Sequence, residues 1–276
     1  NYFQKSINSK LPNSLQIEKF DNLKKVLRDG YDLIVCGVSS PGIEWFAEEV
    51  SKIYQNGKPI LLLTKGLAVL NGNIITLSEK IKNIMSSKNS IKDLNISAIK
   101  GPCLAAGLAN KMRTGTVIAN ENIEEAKKIK SIIETSYYIS EISNDLKGVE
   151  FSGAIKNIYS MLIGASEGLS NPDAPNEIKS KFYLNTAASL IHRSISEMSK
   201  FIKIFGGNVE TVYGLAGLGD LYVTVAGGRN SKMGKLLGEG HLYKDAKENQ
   251  MKGITIEGAE LALQIGPKIL KDFKKN

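Results

Sequence analysis

Cysteine is scarce in this sequence of 276 residues, and its two copies, Cys36 and Cys103, stand far apart. A disulfide framework or a zinc site needs several cysteines at short, regular spacings, so neither is indicated. His192 and His241 have no cysteine or carboxylate partner at metal-ligand spacing, and we predict no metal site. The low cysteine content also favours a reducing, cytoplasmic location.

Long apolar runs are missing as well. No stretch approaches the roughly 18 consecutive apolar residues of a membrane span. The opening residues NYFQKSINSK lack the apolar centre of a secretory signal. With 42% hydrophobic and 23% charged residues the composition is that of an ordinary globular protein, and we expect no stable membrane insertion. The length favours two domains or one large one.

Negative charge is in deficit, because 36 Lys and Arg against 28 Asp and Glu give a net charge of +8. Such a balance is compatible with a basic nucleic-acid-binding protein, since lysine and arginine neutralise phosphates. However, the lysines recur along mixed-charge, helix-like stretches such as 124–134, which are typical of solvated faces. We therefore expect no nucleic-acid partner, and a basic surface that attracts small anionic substrates.

Several short apolar runs have strand character, and helical patterns separate them. The strand candidates are 32–39, 59–67, 94–102, 114–120 and 136–143. Apolar residues at helical spacing fill 43–54 and 122–134. Strands that alternate with helices predict an α/β fold with a Rossmann-like, mainly parallel sheet.

After Asp145 the pattern becomes helical and rich in Ala, Met and Gly, which predicts an all-α second domain and a boundary near residue 147. The stretch 170–181 contains Pro and Asn and is expected to be a loop between two long helices. The chain contains no G-x-G-x-x-G turn. Either the first strand–turn–helix unit of a dinucleotide-binding sheet is absent from this chain, or the chain does not bind a dinucleotide in that way.

Three charges stand alone in apolar surroundings. Lys156 is the only charge between Phe151 and Ser166, Lys65 the only one in 59–78, and Asp220 the only one in 211–228. An ionised group that is buried without a partner costs several kcal/mol, so such groups pair with each other or with a ligand. The alternative for each is a surface position or a structural ion pair.

Together these residues suggest a chemistry. A second cation and burial both push a lysine towards its neutral form, which is a base. Asp220 can hold such a lysine in place, and Thr224 lies one helical turn further on. Arg229 has a planar fork of donors suited to a phosphate, and Gly227 and Gly228 leave backbone amides open to the same anion.

The motifs that contain these residues resemble one family. They are LTKGL (63–67), GPCLA (101–105), GVEFSGAIKN (148–157), GLAGLGDLYVT (214–224) and GGRNSKMG (227–234). In this order the chain is similar to the NAD(P)-dependent glycerol-3-phosphate dehydrogenases from about Asp32 to about Gly258. The lysine segment followed by the aspartate and Arg-Asn segments is highly specific.

The resemblance implies an activity and a cofactor. It implies hydride transfer between NAD or NADP and C2 of sn-glycerol 3-phosphate or dihydroxyacetone phosphate, with a role in glycerophospholipid precursor supply. Residues 1–147 would then be a partial dinucleotide-binding domain and 148–276 the helical substrate-binding and catalytic domain. Long helices rich in small residues are suited to a homodimer interface.

The resemblance also implies roles for individual residues. Lys156 corresponds to the proton acceptor at the C2 hydroxyl, assisted by Lys65, Asp220 and Thr224. The implied substrate contacts are Lys65, Gly101, Cys103, Lys156, Asn157, Asp220, Gly228, Arg229 and Asn230. The implied cofactor contacts are Lys65, Ala105, Arg229, Thr255 and Glu257. An alternative is a β-hydroxyacid-type dehydrogenase with another small substrate, against which the Arg-Asn pair argues.

Overall fold

The computed structural model describes residues 3–4, 7–28, 30–88, 91–170 and 183–273. The chain groups into two compact units. The first comprises Asn1–Thr64, Leu77–Ile99 and Cys103–Leu146, and the second comprises Lys65–Thr76, Lys100–Pro102 and Lys147–Asn276. Apart from Ser170, the loop predicted over 170–181 lies outside the described residues. In these ranges no helix combines the length and apolar character needed to cross a membrane.

Among the described residues, five strands lie within the predicted apolar runs, and two antiparallel pairs add four more strands. In chain order they are β1 (Phe3–Gln4), β2 (Ser9–Lys10), β3 (Ile34–Cys36), β4 (Pro59–Leu62), β5 (Leu67–Leu70), β6 (Asn73–Thr76), β7 (Asn95–Lys100), β8 (Thr114–Ala119) and β9 (Tyr138–Ser143).

The helices follow the predicted pattern. They are α1 (Leu23–Arg28), α2 (Ile43–Ser51), α3 (Leu77–Ser86), α4 (Ala105–Ala109), α5 (Ile123–Ile133), α6 (Leu146–Gly168), α7 (Leu184–Ile204), α8 (Glu210–Tyr213), α9 (Asp220–Gly227), α10 (Arg229–Gly238), α11 (Tyr243–Asp245) and α12 (Glu257–Phe273). Two π-helical turns, Leu215–Gly219 and Ala246–Gln250, interrupt the second half.

The first unit is built on a five-stranded sheet in the order β3-β4-β7-β8-β9. The pairs β3–β4, β4–β7 and β8–β9 are parallel. The side chain of Asn120, just after β8, donates to Ile96 O and Ser97 Oγ at the start of β7, so β8 runs opposite to β7. The predicted, mainly parallel α/β sheet is confirmed. The antiparallel pairing of β7 with β8 is the exception, and the pattern of apolar residues does not predict it.

Burial on the sheet explains the apolar runs. Ile60, Leu61 and Leu62 are all at most 2% exposed, which is expected of a central strand covered on both faces. Leu61 also belongs to a cluster with Ile118 of β8 and Ile129 of α5, so this helix packs on the sheet. The period of three to four residues in 122–134 thus has its physical cause in this contact.

The second unit is mainly helical, as predicted. One of its core clusters joins Phe151 and Ile155 of α6 to Met198 of α7 and Ile265 of α12. Leu67 of the β5–β6 hairpin is buried in the same cluster. The single strand predicted over 59–67 is therefore wrong at its end: β4 stops at Leu62, and the rest of the run supplies a hairpin to the second unit.

Glycines bring α6 and α10 into backbone contact. A Cβ added to Gly164 would lie 2.2 Å from the carbonyl oxygen of Ser231, and one added to Gly234 would lie 1.9 Å from that of Met161. Gly168 and Gly238 repeat the pattern one turn further on. Side chains larger than hydrogen are excluded here, and the contact fixes the start of α10 against the middle of α6.

We expect Gly164→Ala and Gly234→Ala each to destabilise the second unit by about 1–3 kcal/mol, because the added methyl group overlaps a main-chain oxygen. Thermal unfolding measures this effect. Gly227→Ala is the matched control, since a Cβ there meets nothing within 4 Å. Equal melting temperatures for all three variants would contradict the close contact.

Candidate active site

Lys156 lies in the middle of α6 and is 2% exposed. Its Nζ donates a hydrogen bond of 2.8 Å to Oδ1 of Asp220, and it also contacts Oγ1 of Thr224. A lysine with so little exposure keeps its charge only with a partner, and Asp220 provides one. The isolated lysine and the isolated aspartate of the sequence therefore meet in the folded chain.

Local geometry places Asp220. It is the first residue of α9 and follows the π-helical turn Leu215–Gly219, a feature that is frequent at functional sites. A Cβ at Gly217 would lie 2.0 Å from the carbonyl oxygen of Val212, so this turn requires glycine. Oγ1 of Thr224 donates to the main-chain oxygen of Asp220 at 2.7 Å. The hydroxyl of Thr224 is thus committed as a donor, and it accepts from Lys156.

A second lysine shares the same carboxylate. Nζ of Lys65 donates to Oδ2 of Asp220 at 2.5 Å, and its side chain is 28% exposed. Lys65 lies between β4 and β5 and belongs to the second unit. Each oxygen of Asp220 therefore holds one ammonium or amine group.

The surroundings of Lys156 lower the basicity of its amine. Burial is the largest cause, and together with the nearby charge of Lys65 it lowers the pKa of Lys156 to about 8, while Asp220 acts in the opposite direction. A free lysine side chain has a pKa of about 10.4. Near neutral pH a measurable fraction of Lys156 is therefore a neutral amine.

The contacts also orient the nitrogen. A neutral amine has two hydrogens, and Lys156 directs one to Asp220 and one to Thr224. Its lone pair must then occupy the remaining tetrahedral direction. In the ammonium form a third hydrogen occupies that direction. The arrangement is that of a base that takes up and returns one proton along a fixed line.

A second set of polar residues adjoins Lys156 through its neighbour Asn157. Nδ2 of Asn230 donates to Oδ1 of Asn157 at 3.1 Å, and the backbone N–H of Gly258 donates to Oδ1 of Asn230 at 2.9 Å. Nη2 of Arg229 donates to Oε1 of Glu257. Residues 156–157, 229–230 and 257–258 thus form a connected set.

Glycines make this connection close enough. A Cβ at Gly258 would lie 2.5 Å from the main-chain oxygen of Asn157, and one at Gly228 would lie 2.5 Å from that of Thr224. Gly228 also precedes the first turn of α10, where backbone N–H groups lack intrahelical partners. This turn, beside the half-exposed guanidinium of Arg229, is suited to an anion.

Other predicted residues have simpler surroundings. Gly101 is buried and has a φ of 137°, which favours glycine, and Thr255 is half-buried; both belong to the second unit. Cys103 is half-buried and Ala105 is exposed at the start of α4, and both belong to the first unit.

Two buried charges were missed in the sequence. Lys100 is 2% exposed and Glu150 is 1% exposed. A signal for Lys100 exists, because it is the only charged residue in 94–110, the same isolation that marks Lys65 and Lys156. Glu150 has no such signal, since Lys147 is close by in the sequence.

Comparison with known proteins gives one consistent result. A family model described as NAD-dependent glycerol-3-phosphate dehydrogenase N-terminus matches residues 4–126, and the corresponding C-terminus model matches 145–272. The chain is 33% identical over 270 residues to NADP(+)-dependent glycerol-3-phosphate dehydrogenase of Archaeoglobus fulgidus, which covers 95% of this chain and 76% of that protein. It is also 32% identical to glycerol-3-phosphate dehydrogenase [NAD(P)+] of Fusobacterium nucleatum, and that match covers 94% of this chain and 74% of that protein.

A solved structure is similar as well. The crystal structure of glycerol-3-phosphate dehydrogenase from Coxiella burnetii superposes with a TM-score of 0.76 at 29% identity, and the match covers 91% of this chain and 71% of that chain.

The shared carboxylate makes opposite predictions for two variants. Lys65→Met removes a like charge, so we expect the midpoint of the Lys156 titration to rise above about 8. Asp220→Asn removes an attracting charge, so the midpoint should fall. NMR of ¹⁵N-labelled lysine side chains follows the titration, and Lys200→Met on the exposed side of α7 is the control. Shifts of the same sign in both variants would refute this electrostatic account.

Proposed function

This chain belongs to the family of NAD(P)-dependent glycerol-3-phosphate dehydrogenases, and from that premise we propose a role for each residue of its site. The chain is an oxidoreductase that transfers a hydride between a nicotinamide cofactor and C2 of its substrate. Because the chain belongs to this family, we set aside the two alternatives that the sequence left open, a β-hydroxyacid-type dehydrogenase and a basic nucleic-acid-binding protein. The observation that carries the proposed mechanism is the buried Lys156 amine, fixed by Asp220 and Thr224.

The residues of the second unit fit a nicotinamide cofactor. Oε2 of Glu257 is buried and has no hydrogen-bond partner among the described residues, while Oε1 holds Arg229. A buried carboxylate oxygen needs a donor, and the hydroxyl and amide groups of a dinucleotide supply donors. We assign cofactor binding to Lys65, Ala105, Arg229, Thr255 and Glu257. The bound cofactor supplies the site that accepts or donates the hydride.

The proton moves through Lys156. In the direction of alcohol oxidation the neutral amine takes the proton of the C2 hydroxyl, and the electron pair of that O–H bond forms the second bond of the carbonyl. The hydrogen on C2 departs with its bonding pair as a hydride, which a bound nicotinamide would accept. In the direction of reduction the Lys156 ammonium returns that proton to the oxygen. A general base works best when its pKa is near the working pH, and a value of about 8 meets this condition.

Asp220 and Lys65 adjust this base. The Asp220 carboxylate stabilises the ammonium that forms at Lys156 and prevents the side chain from rotating away. Lys65 takes up the other oxygen of Asp220, so that the carboxylate does not make Lys156 too basic. We also assign Lys65, whose side chain is partly exposed, to contact with the substrate oxygen and the cofactor. Thr224 fixes the direction of the lone pair.

The phosphate of the substrate is assigned to the start of α10. Arg229 uses one of its donors on Glu257, which leaves the rest of its planar fork for a phosphate. The side chain of Asn230 is engaged with Asn157 and Gly258, so its role is to hold the first turn and its amides in place. Gly228 allows the anion to approach this backbone. The oxygen of Asn157 accepts from Asn230, and we assign its amide nitrogen, which can only donate, to the substrate.

Three further assignments rest on the family and on the sequence. We propose a domain boundary near residue 147, with cofactor binding before it and substrate binding after it, and with Gly101 and Cys103 on the substrate side. We also propose a homodimer. Finally, we propose a cytoplasmic role in the supply of glycerophospholipid precursors.

Removal of the base should strongly slow turnover. We expect Lys156→Met to lower kcat for dihydroxyacetone phosphate by about 10²–10⁴-fold, because the proton-transfer group is lost. Oxidation of NADH or NADPH, followed by absorbance, measures it, and Lys200→Met is the surface control. For oxidation of glycerol 3-phosphate, kcat/KM should rise with pH and level off above about 8. Full activity of Lys156→Met would refute its assigned role.

The phosphate assignment has its own test. We expect Arg229→Gln to raise KM for dihydroxyacetone phosphate by about 10–100-fold, since a hydrogen bond to a charged group contributes about 1.5–3 kcal/mol and about 1.4 kcal/mol corresponds to a factor of ten. With the cofactor at saturating concentration, turnover of dihydroxyacetone, which has no phosphate, should change little. Lys232→Gln, an exposed cation one turn further along α10, is the matched control. An equal loss with both substrates would place Arg229 elsewhere in the mechanism.

A further inference from the structure

Lys100 is the last residue of β7 and is only 2% exposed. The strand sets the direction of its side chain. Ile99, the residue before it, packs in a core cluster of the first unit with Leu61 and Ile118. Because successive side chains of a strand point to opposite faces, Lys100 is directed away from that cluster. Lys100 itself groups with the second unit.

The aliphatic stem of Lys100, the chain from Cβ to Cε, lies in a notch on α6. The notch is Gly153: a Cβ added there would lie 2.9 Å from Cδ, 3.1 Å from Cγ and 3.5 Å from Cβ of Lys100. Carbon atoms attract at about 3.5–4.0 Å, so the first two distances are overlaps. Both residues are buried, and a packed interior gives the stem little room to move aside. The stem therefore occupies the space that a side chain at 153 would need.

Lys100 leads directly into Gly101, which we place on the substrate side. Gly101 is buried and has a φ of 137°, and it has no side chain that could hold it in position. Gly153, which receives the stem, precedes Lys156 by three residues on α6. Residues at this spacing are neighbours on a helix. The stem thus ties the backbone of Gly101 to the helix that carries the base.

The residue on the other side of Gly101 also lies close to the catalytic pair. A Cβ added to Gly219 would lie 3.6 Å from Cγ and Cδ of Pro102, which is an ordinary van der Waals distance. Gly219 immediately precedes Asp220. An added carbon fits at Gly219 and overlaps at Gly153, so the tight contact of segment 100–102 is the one that Lys100 makes.

We infer that Lys100 is a positioning residue: its aliphatic stem, seated in the notch at Gly153, holds Gly101 at the substrate side of Lys156. Lys100 acts through Gly101 and is not assigned to the reacting atoms. Its effect on catalysis rests on the proposed function. The fit of the stem into the notch is a property of the folded chain, and it can be measured without turnover.

Three backgrounds at position 100 test this fit. They are the unmodified protein, Lys100→Met, which keeps an unbranched stem without the charge, and Lys100→Ala, which removes the stem. Gly153→Ala should lower the melting temperature by roughly 5 °C in the first two, because its methyl group meets the stem. In Lys100→Ala the methyl group fills part of the space that the stem leaves, so Gly153→Ala should cause no further loss. Lys200→Ala, at an exposed lysine of α7, is the control background and should keep the full loss.

Kinetics test the positioning role. Gly153→Ala should raise KM for dihydroxyacetone phosphate by about tenfold with a smaller change in kcat, because Gly101 is displaced while Lys156 keeps its own contacts. Lys100→Ala should also raise KM, and Gly153→Ala should then add nothing. Lys100→Met, which keeps the stem, should stay closer to the unmodified protein than Lys100→Ala. A merely structural role would reduce the amount of active protein, and so kcat, without a change in KM.

The outcomes separate the two proposals. Equal losses of melting temperature from Gly153→Ala in all three backgrounds would overturn the fit, and so would a loss that disappears already in Lys100→Met. If either single variant does not fold, a folded Gly153→Ala, Lys100→Ala double variant supports the fit, and an unfolded one contradicts it. An unchanged KM in Gly153→Ala would overturn the positioning role. Absence of turnover in the unmodified protein would contradict the proposed function, while the melting temperatures would still decide the fit.

Discussion

One carboxylate shared by two lysines is the interaction on which the site depends. Asp220 is 2% exposed, and each of its oxygens holds one lysine nitrogen. A single negative charge cannot satisfy two buried positive charges, so the arrangement is electrostatically favourable only if one lysine is partly exposed or partly neutral. Lys65 meets the first condition and Lys156 the second. The lowered pKa of Lys156 is therefore a consequence first of its burial and then of the nearby charge of Lys65, with which it shares one carboxylate.

The charge arrangement in turn depends on backbone contacts that only glycine permits. Gly217 allows the tight π-helical turn before Asp220, Gly228 lets α9 run directly into α10, and Gly258 brings the start of α12 against Asn157. The paired glycines of α6 and α10 hold these helices together at backbone distance. Because the contacts are between main chains, they leave little freedom for the catalytic pair to separate. The rigidity of the site thus comes from glycine residues, which have no side chain to separate the main chains.

Much of the fold could be predicted from the sequence, since it depends on local pattern. The strands at 34–36, 59–62, 95–100, 114–119 and 138–143 and the helix at 123–133 lie within the predicted runs, because burial on a sheet imposes its period on the residues. The reversed direction of β8 was not predictable, because the pattern of apolar residues along a strand is the same whichever way the strand runs. The hairpin at 67–76 was also missed, because its apolar residues continue the run of β4 but pack into the core of the other unit.

The sequence by itself determined the family, through ordered motifs, and it marked Lys65, Lys156 and Asp220, because a lone charge in an apolar stretch has few ways to avoid the cost of burial. Only the tertiary structure decided that Asp220 divides its two oxygens between the lysines, that Thr224 accepts from Lys156, and that Lys100 crosses α6 at Gly153. Hydrogen bonds and close contacts between residues far apart in the chain depend on distances of a few tenths of an ångström. Spacing along a sequence carries no information on that scale, because the packing of whole helices sets these distances.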